Sequence, residues 1–255
     1  MYTDTHTHLY LEEFADDLNP DAVSRAISAG VDRMIFPNVD LSTVAPMKAL
    51  ASKYPETISM AMGLHPTEVN ANWEDVLGQI LGILGDGSEY KAVGEIGIDL
   101  YWDTTYAEEQ MDVFDRQVDA ACKHDLPIII HCRNGLERAL EVLSGHKTAR
   151  GVFHSFGGTA DEVETIRKTG DFYFGINGIV TFKNSTLKNA LPAIGTEKLL
   201  LETDSPYLAP VPHRGKRNES AYLPLIAQAI ADSLGTSKED VAGFTTRNAT
   251  ELFRL

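Results

Sequence analysis

The chain alternates short apolar segments with amphipathic segments eight times along its length. A strand that is followed by a helix and another strand forms a parallel sheet, because the helix carries the chain back across the sheet. Eight such units predict the α/β class and a closed (β/α)8 TIM barrel. The predicted strands are residues 1–8, Val31 to Val39, Ile58 to Leu64, Lys91 to Ile98, Pro127 to Cys132, Gly151 to Ser155, Phe172 to Ile176 and Lys198 to Thr203.

In the segments between these strands, apolar residues recur at the spacing that is typical of helices. A first helix is predicted from Pro20 to Gly30, and the longest runs from Ala107 to His124 with Phe114 and Val118 on its apolar side. The length of 255 residues is typical of one barrel, and no Ser- or Pro-rich linker interrupts the pattern. We therefore expect residues 1–255 to form a single domain. An open doubly wound sheet is the alternative topology.

The composition is strongly acidic, with a formal net charge of -15 and a pI near 4.9. This charge argues against a protein that binds nucleic acid through a broad basic surface. It does not exclude a nucleic-acid substrate, because bound divalent cations can supply positive charge locally. With two cysteines, no apolar run near 18 residues and no signal segment, the sequence predicts a cytoplasmic monomer without membrane contact or an obligate protein partner.

Two histidines near the start, His6 and His8, are separated by one residue. On a strand, side chains two positions apart share a face, so both imidazoles can bind one cation. Asp4 lies on the same predicted face. The alternative is a solvated terminal strand or leftover tag sequence. The metal interpretation therefore depends on further ligands at comparable positions later in the chain.

Such residues recur at or near the carboxyl end of the predicted strands. In barrel enzymes catalytic groups converge at that rim, whereas the opposite rim mainly supports stability. An imidazole or carboxylate is expensive to bury without a partner, so chance placement of the whole set on one rim is improbable. The sequence therefore predicts a metal centre there. Besides His6 and His8, the residues at this rim are His65, Glu95, His131, His154 and Asp204.

The number of candidate ligands favours two cations over one. Four histidines and two carboxylates exceed the ligands of one catalytic zinc ion, but they suit two adjacent cations that share a carboxylate. Glu95 is best placed to be shared. Nitrogen and oxygen donors suit Zn, Mn, Fe or Ni, and Mg is a weaker alternative. We assign His6, His8 and Asp204 to one ion and His131 and His154 to the other.

Seven motifs together resemble the TatD family of metal-dependent deoxyribonucleases, within the amidohydrolase-like barrels. The resemblance runs from residue 4 to 218 and implies a barrel, a divalent-metal centre and hydrolysis of phosphodiester bonds, as a DNase or 3'-5' exonuclease. The ligands that it implies are His6, His8, Glu95, His131, His154 and Asp204. The motifs are Asp4–His8, Gly63–Pro66, Gly94–Asp99, His131–Arg133, His154–Gly158, Glu202–Leu208 and Arg214–Asn218.

The prediction of a metal-dependent nuclease assigns roles to further side chains. Asp204 is the candidate to orient the attacking water and accept its proton, with Glu95 beside it. His65, Arg133 and Arg214 are expected to bind the phosphates of DNA or a short oligonucleotide. Glu202, one layer below Asp204, is expected to accept the second ring N–H of a ligand histidine, and Asp4 is expected to do the same for His6.

Two other functions fit the same residues. A hydrolase on this scaffold can act on an amide, or on an ester such as mischarged aminoacyl-tRNA, because fold alone does not fix the substrate. No lysine ends a predicted strand, which counts against the subtype that uses a carboxylated lysine as a bridge. A protein that stores metal or binds nucleic acid without catalysis is the other alternative.

Overall fold

The computed structural model describes residues 1–17 and 21–255, in which eight parallel strands form one sheet in the order of the sequence. Each strand pairs with the next, so the predicted (β/α)8 barrel is confirmed. The strands are β1 (Tyr2–Asp4), β2 (Val31–Pro37), β3 (Ile58–Met62), β4 (Ala92–Asp99), β5 (Ile128–Arg133), β6 (Arg150–Phe153), β7 (Asp171–Ile176) and β8 (Leu199–Leu201).

Helices surround the sheet, and their ends follow local capping chemistry. Thr159 accepts the backbone N–H of Glu162, whose carboxylate in turn accepts the backbone N–H of Thr159, which starts one helix. Pro20, predicted to begin the first helix, lies outside the described residues. Among the described helices, none has the length and apolar content that a bilayer crossing requires. The helices are α1 (Ala22–Ser28), α2 (Leu41–Ala51), α3 (Trp73–Leu84), α4 (Ala107–Lys123), α5 (Leu136–Gly145), α6 (Ala160–Thr169), α7 (Leu191–Ile194), α8 (Leu223–Leu234) and α9 (Lys238–Phe253).

The first and eighth strands meet through the segments that follow them. The Thr5 N–H donates to the Leu201 carbonyl at 3.1 Å, and the Asp204 N–H donates to the His6 carbonyl at 2.9 Å. The predicted length of the first strand is wrong, because regular pairing ends at Asp4. The chain bends at Thr5 and His6 so that its next amides reach the extension of β8.

A layer of apolar side chains fills the barrel below the rim. Seven strands contribute one residue each, and the end of α9 covers the layer from below. We call this layer the barrel floor. Side chains alternate along a strand, so a residue two positions beyond the floor also points inward. The floor consists of Ile35, Ala61, Ala92, Ile129, Val152, Tyr173 and Leu200, with Ala249, Leu252 and Phe253 of α9.

This alternation positions the predicted site. Ile129 precedes His131 by two residues on β5, and Val152 precedes His154 by two residues at the end of β6. Leu200 precedes Glu202 by the same step. On these three strands the inward-facing position above the floor therefore carries a titratable side chain, whereas the floor itself is apolar.

Close strand packing requires glycine in β6, which gives a test of the fold. A Cβ atom at Gly151 would lie 2.1 Å from the Ile128 carbonyl oxygen, whereas one at Gly243 of α9 would meet nothing within 4 Å. We expect Gly151→Ala to lower the free energy of unfolding by about 1–3 kcal/mol. Gly243→Ala should raise it by about 0.5–1 kcal/mol, because alanine favours a helix. Urea unfolding of both variants measures the difference. Equal stabilities would contradict the strand packing.

Candidate metal centre

Glu95 on β4 lies at the centre of the predicted site and is 3% exposed. Its oxygen Oε2 lies 3.1 Å from Nε2 of His6 and 3.5 Å from Nε2 of His8. The two histidine nitrogens are 3.0 Å apart. Oδ1 of Asp204 lies 3.7 Å from His6 and 3.9 Å from His8. These four side chains thus direct one donor atom each toward a common point.

The spacing of these atoms fits a metal ion. Two donor atoms held about 2.1 Å from one tetrahedral zinc ion lie about 3.4 Å apart. The measured separations, from 3.0 Å for His6–His8 to 3.9 Å for His8–Asp204, lie around this value. Imidazole nitrogens that present lone pairs to each other repel, and a cation between them removes the repulsion. The group can therefore hold a divalent cation without large rearrangement.

The other oxygen of Glu95, Oε1, faces a second group of histidines. It lies 2.7 Å from Nε2 of His154, 3.1 Å from Nδ1 of His131 and 3.2 Å from Nε2 of His65. The His131 and His154 nitrogens are 3.3 Å apart. The donor atoms of His65, Glu95 and His131 also lie close enough together to hold an ion. One carboxylate thus serves two neighbouring groups, one through each oxygen.

Burial and neighbouring charges shift the pKa values of the side chains in this cluster. Burial alone would raise the pKa of Glu95, but the imidazoles of His154, His6 and His65 hold it well below its usual value. Burial would lower the pKa of His154, but Glu95 and Glu202 raise it well above the usual range. Burial raises the pKa of Asp204 to about 6. These shifts follow from the burial of carboxylates and imidazoles against one another.

Tyr10 fixes the orientation of His8, a role that the sequence did not indicate. The buried Tyr10 hydroxyl donates to the carbonyl oxygen of Pro37. Its oxygen lies 2.8 Å from Nδ1 of His8 and can accept the N–H of that nitrogen. Burial raises the pKa of Tyr10 well above its usual value, so the phenol stays neutral. His8 therefore keeps its Nε2 lone pair for the cluster.

Asp99, at the end of β4, orients His131 in a similar way. Its Oδ2 accepts from Nε2 of His131 at 2.8 Å, which leaves Nδ1 to face Glu95. Strand register places the two residues on adjacent strands, since Gly97 pairs with His131 and Asp99 with Arg133. An acid at the end of a predicted strand was the available sequence signal. No role could be predicted for Asp99, because its contact with His131 depends on the register between β4 and β5.

His65 differs from these histidines in its hydrogen bonding. The Thr67 backbone N–H donates to Nδ1 of His65 at 3.2 Å, and the Thr67 hydroxyl lies 2.7 Å from the same nitrogen. Nδ1 therefore carries a lone pair, and the proton of the neutral ring is on Nε2. The nitrogen that faces Glu95 is thus a donor. This arrangement suits binding of an anion better than ligation of a metal.

Glu202 and Asp4 were each predicted to accept a ring N–H of a ligand histidine. Only Glu202 lies near the ring of such a histidine. Glu202 is fully buried, and its Oε1 accepts the Ser155 N–H at 2.5 Å. The same oxygen lies 3.7 Å from Nδ1 of His154, which is beyond hydrogen-bond distance. Asp4 does not bind the ring of His6. Its carboxylate accepts the backbone N–H of His6 at 3.3 Å and of Thr203 at 3.0 Å, because the bend after β1 turns the chain back toward β8.

The two arginines expected to bind substrate lie outside the cluster. Arg133 is exposed, and its guanidinium carbon lies 3.5 Å from the ring centre of Tyr101. Arg214 is exposed above Phe182 at 3.7 Å. Within residues 1–17 and 21–255 neither guanidinium makes an ion pair with a carboxylate. Both charges are therefore available to an anionic ligand.

The contact between Tyr10 and His8 gives a test of metal binding. We expect Tyr10→Phe to weaken binding of a divalent cation about tenfold, because loss of the phenol oxygen frees the His8 ring. Calorimetric titration of metal-free protein with Mn²⁺ or Zn²⁺ measures the affinity. Tyr90→Phe is a matched control, since Tyr90 is also buried but precedes β4 at the opposite end of the barrel. Unchanged affinity in Tyr10→Phe would remove the phenol from this role.

Comparison with known proteins points to one family. The sequence profile described as "TatD related DNase" matches residues 3–254. An uncharacterised metal-dependent hydrolase, YabD of Bacillus subtilis, is 35% identical over 258 residues, which is 100% of both chains. The 3'-5' ssDNA/RNA exonuclease TatD of Citrobacter rodentium is 34% identical over 260 residues, covering 99% of this chain and 97% of that one.

A solved structure supports the same relationship. The TatD homologue YJJV of Escherichia coli K12 superposes with a TM-score of 0.88 and 27% sequence identity. The match covers 100% of this chain and 98% of the other. The similarity therefore includes the whole barrel with its rim. The chain belongs to the TatD-related DNase family, which confirms the family and the class of metal-dependent hydrolase that its motifs predicted.

Proposed function

We propose that this protein is a metal-dependent nuclease that hydrolyses phosphodiester bonds of single-stranded DNA, as a 3'-5' exonuclease. The observation that carries the proposal is that the two oxygens of Glu95 face two separate groups of donor atoms. Paired cations that share a carboxylate are typical of enzymes that cleave phosphodiesters. The relative from Citrobacter rodentium, named as an exonuclease on ssDNA and RNA, supports the same activity.

In this proposal the domain of residues 1–255 holds two divalent cations. When bound, such ions attract electron density from a phosphate oxygen and make water easier to deprotonate. Nitrogen and oxygen donors fit Zn, Mn, Fe or Ni, with Mg as a more weakly held alternative. Glu95 is shared between the two positions. We assign His6, His8 and Asp204 to the first ion and His131 and His154 to the second, in line with the two groups of short distances.

Asp204 is the residue that we propose to accept the proton of the attacking water. Its carboxylate is 13% exposed at the edge of the first group, whereas Glu95 is held among imidazoles on both sides. The backbone of Asp204 has a left-handed φ of 59°, which costs about 1–2 kcal/mol for most residues and less for aspartate. The Asp204 N–H donates to the His6 carbonyl, so barrel closure holds the carboxylate beside the cluster.

Three other residues are proposed to bind the phosphates of the substrate. His65 presents an N–H toward Glu95 and the cluster, and this N–H can turn to a phosphate oxygen. Arg133, the last residue of β5, and Arg214, in the segment after β8, supply exposed guanidinium groups. A protein of net charge -15 repels a polyanion over most of its surface. We therefore propose that a short oligonucleotide or a strand end binds at these points, to a monomer.

Substitution of Glu95 tests the proposed activity. We expect Glu95→Gln to lower release of nucleotides from end-labelled single-stranded DNA by about 100-fold or more, and to lower the amount of bound metal. Labels at the 3' and 5' ends distinguish the direction of digestion. Elemental analysis of the purified variant measures its metal content.

A histidine far from the cluster provides the control. His146 lies at the end of α5, where Nε2 is 2.8 Å from Asp115, so His146→Ala should keep wild-type activity. The same preparations are assayed with an aminoacyl ester. If the wild-type protein, loaded with each candidate metal, hydrolysed the ester but released no nucleotides, an ester hydrolase would replace the nuclease in this proposal.

The role of Asp204 has a separate test. We expect Asp204→Asn to lower kcat by about 100-fold or more, because an amide cannot accept the proton of water. The amide oxygen can still contact a metal, so the loss of kcat should exceed any loss of metal content. Single-turnover assays at saturating metal measure the step directly. A variant with full kcat would assign proton transfer to another group.

A further inference from the structure

Two aromatic side chains stand in solvent at the rim, directly after β4. Tyr101 is 53% exposed and Trp102 is 71% exposed, although both carry large apolar surfaces. They follow Asp99, which ends the strand that carries Glu95. Exposed aromatic pairs are costly in water and are typical of binding surfaces. Nothing in the proposed hydrolysis requires them.

These rings form an ordered group with one arginine. The ring centres of Tyr101 and Trp102 are 4.9 Å apart at an angle of 88°. The Arg133 guanidinium lies 3.5 Å from the centre of the Tyr101 ring and 5.2 Å from that of Trp102. We call Tyr101, Trp102 and Arg133 the aromatic platform. A guanidinium stacked on a ring keeps its N–H edges free for a phosphate.

The platform is fixed to the candidate metal centre through Asp99. Oδ1 of Asp99 accepts the backbone N–H of Tyr101 at 2.9 Å and of Trp102 at 3.4 Å. Oδ2 of the same carboxylate accepts from His131. The Leu100 N–H also donates to the Arg133 carbonyl at 2.9 Å. One carboxylate thus holds both a histidine of the cluster and the loop with the exposed rings.

We propose that the aromatic platform stacks an unpaired nucleobase of the substrate strand, next to the phosphodiester that is cleaved. Stacking on an aromatic ring needs a base but no particular base, and it contributes substantially to binding of single strands. In a duplex the base faces are already covered by their neighbours. The platform therefore selects single-stranded substrates without reading their sequence. The inference rests on the proposed nuclease function and adds the contact that holds the strand.

The charge distribution agrees with this role. The carboxylate of Asp103 accepts the Thr105 backbone N–H and that of Asp99 accepts from His131, and in the described part of the chain neither makes an ion pair with Arg133. With 37 acidic and 22 basic residues, the protein repels phosphates over most of its surface, and stacking supplies affinity that does not depend on charge. An acidic surface can therefore bind a strand by stacking on its bases.

Fluorescence of Trp102 gives a direct test. Trp73, on α3 beneath Arg116, is the other tryptophan, so Trp73→Phe leaves Trp102 as the reporter. Metal-loaded Trp73→Phe is titrated with phosphorothioate oligothymidylate, which resists hydrolysis, and with an abasic phosphorothioate strand of equal length. We expect saturable quenching by the strand with bases and none by the abasic strand. Equal quenching by both strands, or none by either, would overturn the proposal.

Kinetics with two substitutions give an independent measurement. We expect Trp102→Ala to raise KM for single-stranded DNA roughly tenfold, and Trp102→Phe to stay near the wild-type value because phenylalanine still stacks. The difference in KM between abasic and base-containing strands should disappear in Trp102→Ala. Quenching without any cleavage would retain the platform and reject the nuclease. Cleavage with equal KM for both strands in the wild-type protein would retain the nuclease and reject the platform.

Discussion

The negative charge of Glu95 is the constraint on which the rest of the structure depends. A buried carboxylate costs several kcal/mol unless charged or hydrogen-bonding partners surround it. Here the partners come from the beginning, middle and later parts of the chain, since Oε2 faces His6 and His8 while Oε1 faces His131 and His154. They meet only in a closed barrel. Closure of the barrel and assembly of the metal centre therefore depend on each other. The backbone hydrogen bond from Asp204 to His6 contributes to both.

Much of this arrangement follows from the sequence, because two periodicities are regular. Alternating strands and helices predict the barrel, and the two-residue alternation from Ile129 to His131 predicts which side chains point inward. What could not be predicted depends on distances between strands. Asp99 reaches His131 because β4 and β5 pair in one register, after an irregularity between Val93 and Ile96. The bend that ends β1 at Asp4 likewise reflects contacts with residues almost two hundred positions later.

An acidic protein that acts on a polyanion must attract this substrate at a small part of its own surface. The two kinds of contact proposed at the rim, with phosphates and with bases, differ in their response to salt. Phosphate contacts through arginine weaken as counterions compete, whereas stacking on a ring does not depend on ion release. Arg133 can make both kinds of contact, because its guanidinium carbon lies 3.5 Å from the ring centre of Tyr101 and the residue is exposed. General repulsion elsewhere on the surface then works against unproductive binding.

The barrel floor sets limits on how chains of this kind can change in length. His131 and His154 each stand two residues above a floor residue, Ile129 and Val152. Insertion of one residue within either step would turn the imidazole from the interior toward the surrounding helices. Insertions beyond the rim, such as in the loop with Tyr101, leave the alternation below intact. Evolution can therefore lengthen the loops and alter substrate choice, while the two-residue steps between floor and rim must keep their length.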